Sequence, residues 1–177
     1  MEDRYIEDSV RERLILAGLG ELLDHGTTDF SLRRVAIAAQ VSCAAPYRHF
    51  KDKDELIRAI IAHIREDWTL LSNQIFSIFT LGTRECLIEL LVAGVRFWVA
   101  GGNFASFLSA GEISSFEEPI ISALEAYAKR ADKSATDLSF SVLSLYYGTI
   151  TILSRGGIEI SSAVSAMRAE VARVLNA

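Results

Sequence analysis

The stretch FSLRRVAIAAQVSCAAPYRHFK, residues 30–51, decides how this chain is read. Ser31 is a residue type that caps a helix N-terminus, and behind it Leu32, Val35, Ala36 and Ala39 fall at helical spacing. Gln40 interrupts the pattern, Val41 resumes it, and Ser42 offers a second cap, for a helix from Cys43 to about Phe50. Ala36 is small enough to let two crossing helices approach closely. This is the spacing of a helix-turn-helix. Charge points the same way, because Arg33, Arg34, Arg48 and Lys51 are the charged residues between Ser31 and Lys51, with His49 beside them and no acid. The chain as a whole has a net charge of -5, and an acidic surface is repelled by duplex DNA unless cations are concentrated locally.

Upstream, Ser9 is placed to cap a first helix running to about His25, with Gly26 just beyond it where a left-handed residue belongs. Downstream, Leu56, Ile57, Ile60, Ile64, Trp68, Leu71, Ile75 and Ile78 keep a 3.6-residue period, predicting one long helix from Asp52. At 1.5 Å per residue it spans roughly 40 Å, long enough to couple two ends of a molecule. Further helices are expected over about Arg84–Ala100, which the Gly101-Gly102-Asn103 cluster ends, over Phe104–Ala110, from Pro119 in a first turn to Ala131, and over Thr136–Leu153 and Glu159–Leu175. The last two, joined at Arg155-Gly156-Gly157, read as an antiparallel hairpin. Its first helix carries a stripe of small residues, Ser141, Ser144, Gly148 and Thr151, beside the apolar Leu138, Val142, Leu145 and Ile152. The second adds Ile160, Ala163, Val164, Met167, Val171 and Val174. A helix without a charged face must be covered nearly all round, and two such hairpins facing each other would make a four-helix bundle. Ser141, Ser144, Leu145, Gly148, Ile152, Val164, Met167 and Val171 are therefore the expected interface of a homodimer.

The chain is 177 residues long, half hydrophobic and poor in helix breakers, with two prolines. Its mean hydropathy of +0.26 is high for a monomer with a wetted surface, which again favours a partner. An all-α fold of about nine helices is expected, with a helix-turn-helix domain over residues 1–52 and an effector-binding and dimerisation domain over 53–177. Cys43 and Cys86 lack paired-ligand spacing and read as free thiols in a reducing, cytoplasmic setting. The charge-free run Leu138–Ser154 approaches spanning length, but its hydroxyl residues mark a buried helix rather than a membrane segment. Catalysis needs a nucleophile beside a base or a metal cluster. Here His25, His49 and His63 are scattered and the His63-x-x-Glu66 pair stands alone, so no enzyme, metal or cofactor is expected.

Phe30-Ser31-Leu32-Arg33-Arg34-Val35-Ala36, Gln40-Val41-Ser42, Tyr47-Arg48-His49-Phe50 and Lys53 with Leu56 together closely resemble the TetR family of bacterial regulators over about Val10 to Ile57. The family pattern has Ile-Ala, Gly-Val-Ser, Tyr-x-His-Phe and Lys-x-x-Leu at these intervals, and this chain departs from it by carrying Gln40 in place of the turn glycine. The resemblance implies a transcriptional regulator that binds operator DNA as a homodimer and is released, as a repressor, by a small-molecule effector. In that setting the helix starts at Ser31 and Ser42 favour phosphate. Tyr47, His49 and Lys53 resemble the family's backbone-contacting positions, which set register without reading sequence. Base reading falls to Cys43, Ala44 and Ala45, with Arg33 and Arg48 long enough to reach guanine edges, and Arg34 adds to the basic surface. The effector domain is implied only architecturally. Its aromatics and scattered polar groups, His63, Trp68, Phe76, Arg96, Phe97, Phe104, Phe107 and Tyr127, with Asn103, are candidates to line an apolar pocket. A helical dimeric adaptor whose N-terminal module binds protein is the alternative, and it leaves the acid-free stretch unexplained.

Overall fold

The computed structural model describes residues 2–102 and 107–177, apart from the side chains of residues 2–8 and of Ala110. Its described residues form eight α-helices and no strand: α1 (Glu2–His25), α2 (Leu32–Ala38), α3 (Ala45–His49), α4 (Lys53–Ile78), α5 (Arg84–Ala100), α6 (Ala110–Ala131), α7 (Ala135–Ser154) and α8 (Ile160–Asn176). None of them is long and apolar enough to cross a membrane. The candidates Asn103 and Phe104 lie outside the described residues, and of the expected helix over residues 104–110 the described part is not a separate helix: Leu108 and Ser109 are not helical, and Ala110 opens α6.

The chain divides into two compact units, Met1–Glu66 and Asp67–Ala177. The boundary falls inside α4 and not at residue 52, because Leu56, Ile60 and Ile64 at the start of α4 belong to the core of the first unit. Gly18 of α1 makes room for them: a Cβ there would lie 2.8 Å from Ile60 Cδ1. Around this contact Leu14, Leu22, Val35, Ala36 and Phe50 are buried, and the Arg11 guanidinium stacks over the Phe50 ring at 5.3 Å. Phe50 is thus a core aromatic. Asp52 Oδ1 accepts from Glu55 N at 2.8 Å and so starts α4.

In the second unit α5 is the enclosed helix. Cys86, Leu87, Ile88, Leu90, Leu91, Val92, Val95 and Trp98 are buried on it, and α6, α7 and α8 all pack against it. Trp68 of α4 donates its indole N–H to the Phe116 carbonyl at 2.8 Å, and Phe97, Trp98 and Phe116 gather beside it with ring centroids 5.2 to 6.3 Å apart. The C-terminal end of α8 is held by Tyr127 Oη and Lys133 Nζ, both donating to the Leu175 carbonyl at 2.8 and 2.7 Å.

Three helix starts differ from the sequence-based expectation. First, α1 begins at Glu2, with Ser9 inside it rather than capping it. Second, α6 begins at Ala110, where Ser109 and Glu112 form a complete capping box, and Pro119 lies within the helix. A mid-helix proline costs about 3 kcal/mol. Burial of Phe116, Ile120, Ala123 and Leu124 on the same helix offsets it. Third, α3 begins at Ala45 without a side-chain cap, so Ser42 does not cap it. A helix opening at Cys43 would place Pro46 where the first intrahelical N–H is needed, and proline has none. Instead Ser42 O accepts from Ala45 N in a turn, and Pro46 sits in the first turn of α3.

Candidate nucleic-acid interface

Helices α2 and α3 contact each other and α1, as a helix-turn-helix requires. The link between them is a Schellman closure. Gln40 N donates to Ile37 O and Val41 N to Ala36 O, each at 3.0 Å, with Gln40 at φ 55° in the left-handed region. A side chain there costs roughly 1–2 kcal/mol relative to glycine. Arg13 of α1 covers the same turn: Nε donates to Ala39 O at 3.1 Å, and Nη2 donates to Ala39 O and, at 3.0 Å, to Gln40 O.

The start of α2 is fixed from α1 as well. Glu21, 8% exposed, accepts from Ser31 N at 2.9 Å and from Arg34 Nε at 2.8 Å, and lies 3.3 Å from His25 Nδ1. Arg34 also reaches the carbonyl and carboxylate of Asp29. Burial pushes the Glu21 carboxyl up, but the Arg34 and Ser31 hydrogen bonds and the Arg34 and His25 charges outweigh it and hold it below the usual value of 4.5. Ser31 Oγ accepts from Arg34 N at 3.4 Å, which makes Ser31 the N-cap the sequence indicated.

These bonds sort the sequence-derived candidates. Arg34 is committed to Glu21 and Asp29, Ser31 N to Glu21, and Lys53 Nζ to the Thr27 carbonyl at 3.2 Å. Ala45 is buried, with its methyl turned inward. Arg33, Ser42, Cys43, Ala44, Tyr47 and Arg48 are exposed, and His49 is half-buried against Phe50. Tyr47 is 66% exposed, so it is no core aromatic. The free surface is therefore a cationic and aromatic face without an acid, set on α2, whose two ends are tied to α1, and on α3, which packs against both. Sequence reasoning missed Arg13 and Glu21. Each sits on an unremarkable amphipathic helix, and nothing along the chain marks the turn or helix start it serves.

Among the described residues, the effector candidates have different surroundings. Trp68 and Phe97 meet at a tilt in the aromatic core, Tyr127 is bonded to α8, Arg96 is exposed, and His63 belongs to the first unit. Phe76 and Phe107 are half-buried. A cleft of about 390 Å³ lies instead among α5, α6 and α7, lined by Trp98, Ile113, Tyr147, Ile150, Thr151 and Ser154, with Arg155 at one side. Tyr147 Oη donates to Glu117 there. Burial, followed by the Glu117 hydrogen bond and charge, pushes the Tyr147 hydroxyl far above its usual range.

The dimer candidates also divide. Val164, Met167 and Val171 are buried inside the protomer, where they pack the core under α8, so they are unavailable to a partner. On α7 Ser144 and Ile152 are exposed, Gly148 has open space where its Cβ would be, and Ser141 and Leu145 are half-buried. Phe140, absent from the sequence-derived set, is 76% exposed on the same helix. Only Leu138, Val142, Tyr146 and Leu153 of α7 are buried, so a helix with scarcely any charge stands half uncovered in the single chain.

Residues 14–60 match the family model for bacterial regulatory proteins of the tetR family, a DNA-binding helix-turn-helix domain. No curated protein matches the chain. Among solved structures, a TetR-family transcriptional regulator of Streptomyces coelicolor superposes with a TM-score of 0.76 at 15% identity, covering 96% of this chain and 95% of that one. A regulator of the TerR/AcrR family from Aquifex aeolicus VF5 gives 0.68 at 20% identity over 93% and 99%. A TetR-like transcriptional regulator from Rhodococcus sp. RHA1 gives 0.68 at 18% over 94% and 96%. These likenesses fix the fold of the whole chain.

Proposed function

We propose that this chain, whose N-terminal domain belongs to the tetR family of bacterial regulatory proteins, is a homodimeric transcriptional repressor that a small molecule releases from its operator. The observation that carries the reading is the acid-free face of α2 and α3, which exposes Arg33, Tyr47 and Arg48 on a chain of net charge -5. Tyr47 and His49 would anchor phosphates and fix register, while Arg33, Arg48 and the small Cys43 and Ala44 would meet base edges and thymine methyls. Nothing in the exposed residues of this face favours the protein-binding alternative.

Dimerisation would proceed through α7 and α8, with Phe140, Ser144, Gly148 and Ile152 supplying surface that a single chain leaves bare. The cleft among α5, α6 and α7 is a candidate site for an effector, since its lining is mostly apolar with a few polar groups. Helix α4 contributes residues to both units, so an effector that prefers one arrangement of the second unit would shift the population of DNA-competent dimers.

The test is selection of duplexes from a random 20-base-pair library by the purified protein, followed by titration of selected and unselected duplexes. Enrichment of a two-fold symmetric sequence is expected. Tyr47→Ala should weaken both kinds of duplex alike, by about tenfold, whereas Arg33→Ala should narrow the gap between them. A library that emerges unenriched overturns the assignment.

A further inference from the structure

We propose that Arg13 is a positioning residue for operator reading, through its grip on the α2–α3 turn. This inference rests on the DNA-binding reading above. The turn between the two helices is closed by a glutamine in a left-handed conformation. Among the described residues only one other non-glycine residue shares a positive φ, Asp132 at the end of α6, and aspartate is a type that tolerates it. Glutamine has no such tolerance.

The Schellman bonds alone leave the Ala39 and Gln40 carbonyls without a donor from the turn. Both are taken by the Arg13 guanidinium, whose fork spans two acceptors while its charge faces the negative end of α2. The left-handed residue is therefore held from outside the motif. Only Val41, Ser42, Cys43 and Ala44 separate Gln40 from α3, so a change at Gln40 re-aims that helix and its exposed Arg48 and Tyr47. Without Arg13, only the two Schellman bonds and the packing of α3 on α1 and α2 oppose the right-handed or extended states that glutamine prefers. A glycine at position 40 enters the left-handed state without that penalty, so it needs less help to hold the turn. That difference makes the two positions thermodynamically coupled.

The experiment is a double-mutant cycle of Arg13→Met, which keeps the aliphatic stem, with Gln40→Gly, using a duplex enriched from the random library by the wild-type protein. Arg13→Met is expected to weaken binding at least about tenfold in the native background, and no more than about threefold when Gln40→Gly is present. Arg13→Lys, which keeps the charge without the fork, should fall between. The dependence of affinity on salt should not change. Equal losses in both backgrounds, or a salt slope reduced by about one as for a lost phosphate contact, would overturn the proposal. Amide exchange at Val41 gives a readout that needs no DNA. Its protection should fall in Arg13→Met and return in the double variant, and unchanged protection overturns the grip itself. If the wild-type library stays unenriched while Val41 behaves as expected, the DNA-binding reading fails and the turn mechanism stands.

Discussion

Glu21 and Trp68 are both buried and both donate or accept across helices, yet they hold their units together in different ways. In the first unit the short helices α2 and α3 have little surface to bury, and both ends of α2 are tied by ionic hydrogen bonds, from Glu21 at its start and Arg13 at the turn beyond it. In the second unit α5 to α8 are about five to six turns long, and the core is apolar around α5, with the Trp68, Phe97, Trp98 and Phe116 cluster filling it. A helix that must present its outer face to DNA cannot be enclosed on that face, so polar ties fix its direction. A helix bundle that hides its faces is fixed by packing. The two units should therefore answer differently to the same kinds of perturbation.

The largest effect is expected at the packed unit. Trp68→Ala removes the indole and its bond to Phe116 O, and should cost about 4 kcal/mol in denaturant unfolding. A loss below about 1 kcal/mol would mean that the second unit does not depend on its aromatic centre. Gly94→Ala comes next. A Cβ there would meet Tyr146 Oη at 2.5 Å and two ring carbons at 3.1 Å, with Tyr146 itself buried. About 2 kcal/mol of overpacking should appear, readable as a lowered Tm.

In the first unit Glu21→Gln should cost about 2 kcal/mol at neutral pH, because Ser31 N and Arg34 lose a charged acceptor. The loss should disappear in acid. Glu21 titrates below 4.5 when folded and near that value when unfolded, so its stabilisation is complete above 4.5 and fades as pH falls through the folded value. Wild type and variant should converge there in amide exchange of α2. A constant gap down to pH 2 would break the ionic account. The smallest effect on stability is expected at the proposed interface between copies. Phe140→Asp should leave the protomer folded, with stability changed by under about 0.5 kcal/mol, since the ring touches water in the single chain. The variant should sediment as a monomer, and one that remains dimeric would place the interface elsewhere.

Much of this was legible along the chain. Helical periods at Leu56 to Ile78 and on the closing hairpin gave the long helix and the antiparallel pair, and the ends of α4, α5, α7 and α8 fall within about two residues of expectation. Ser31 as cap follows from local spacing, whereas Gln40 as the turn residue and Tyr47 as an outward-facing aromatic are implied by the family resemblance. The starts of α1, α3 and α6 were less legible, because cap residues compete: Ser109 with Glu112 outbid Pro119, and Pro46 moved α3 beyond Ser42.

Sequence by itself determined the periodicity, the cap chemistry and the charge sign of each segment, because those are properties of neighbours in the chain. Only the tertiary structure decided which side chains are spent. Arg33 and Arg34 are adjacent and identical in type, yet one faces solvent and the other is bound to Glu21 thirteen positions away. Val164, Met167 and Val171 form as apolar a stripe as a dimer seam needs, yet the protomer's own core takes it, while Phe140 is left outside. Periodicity names the face that must be covered. Which surface covers it depends on the three-dimensional arrangement of helices distant in sequence.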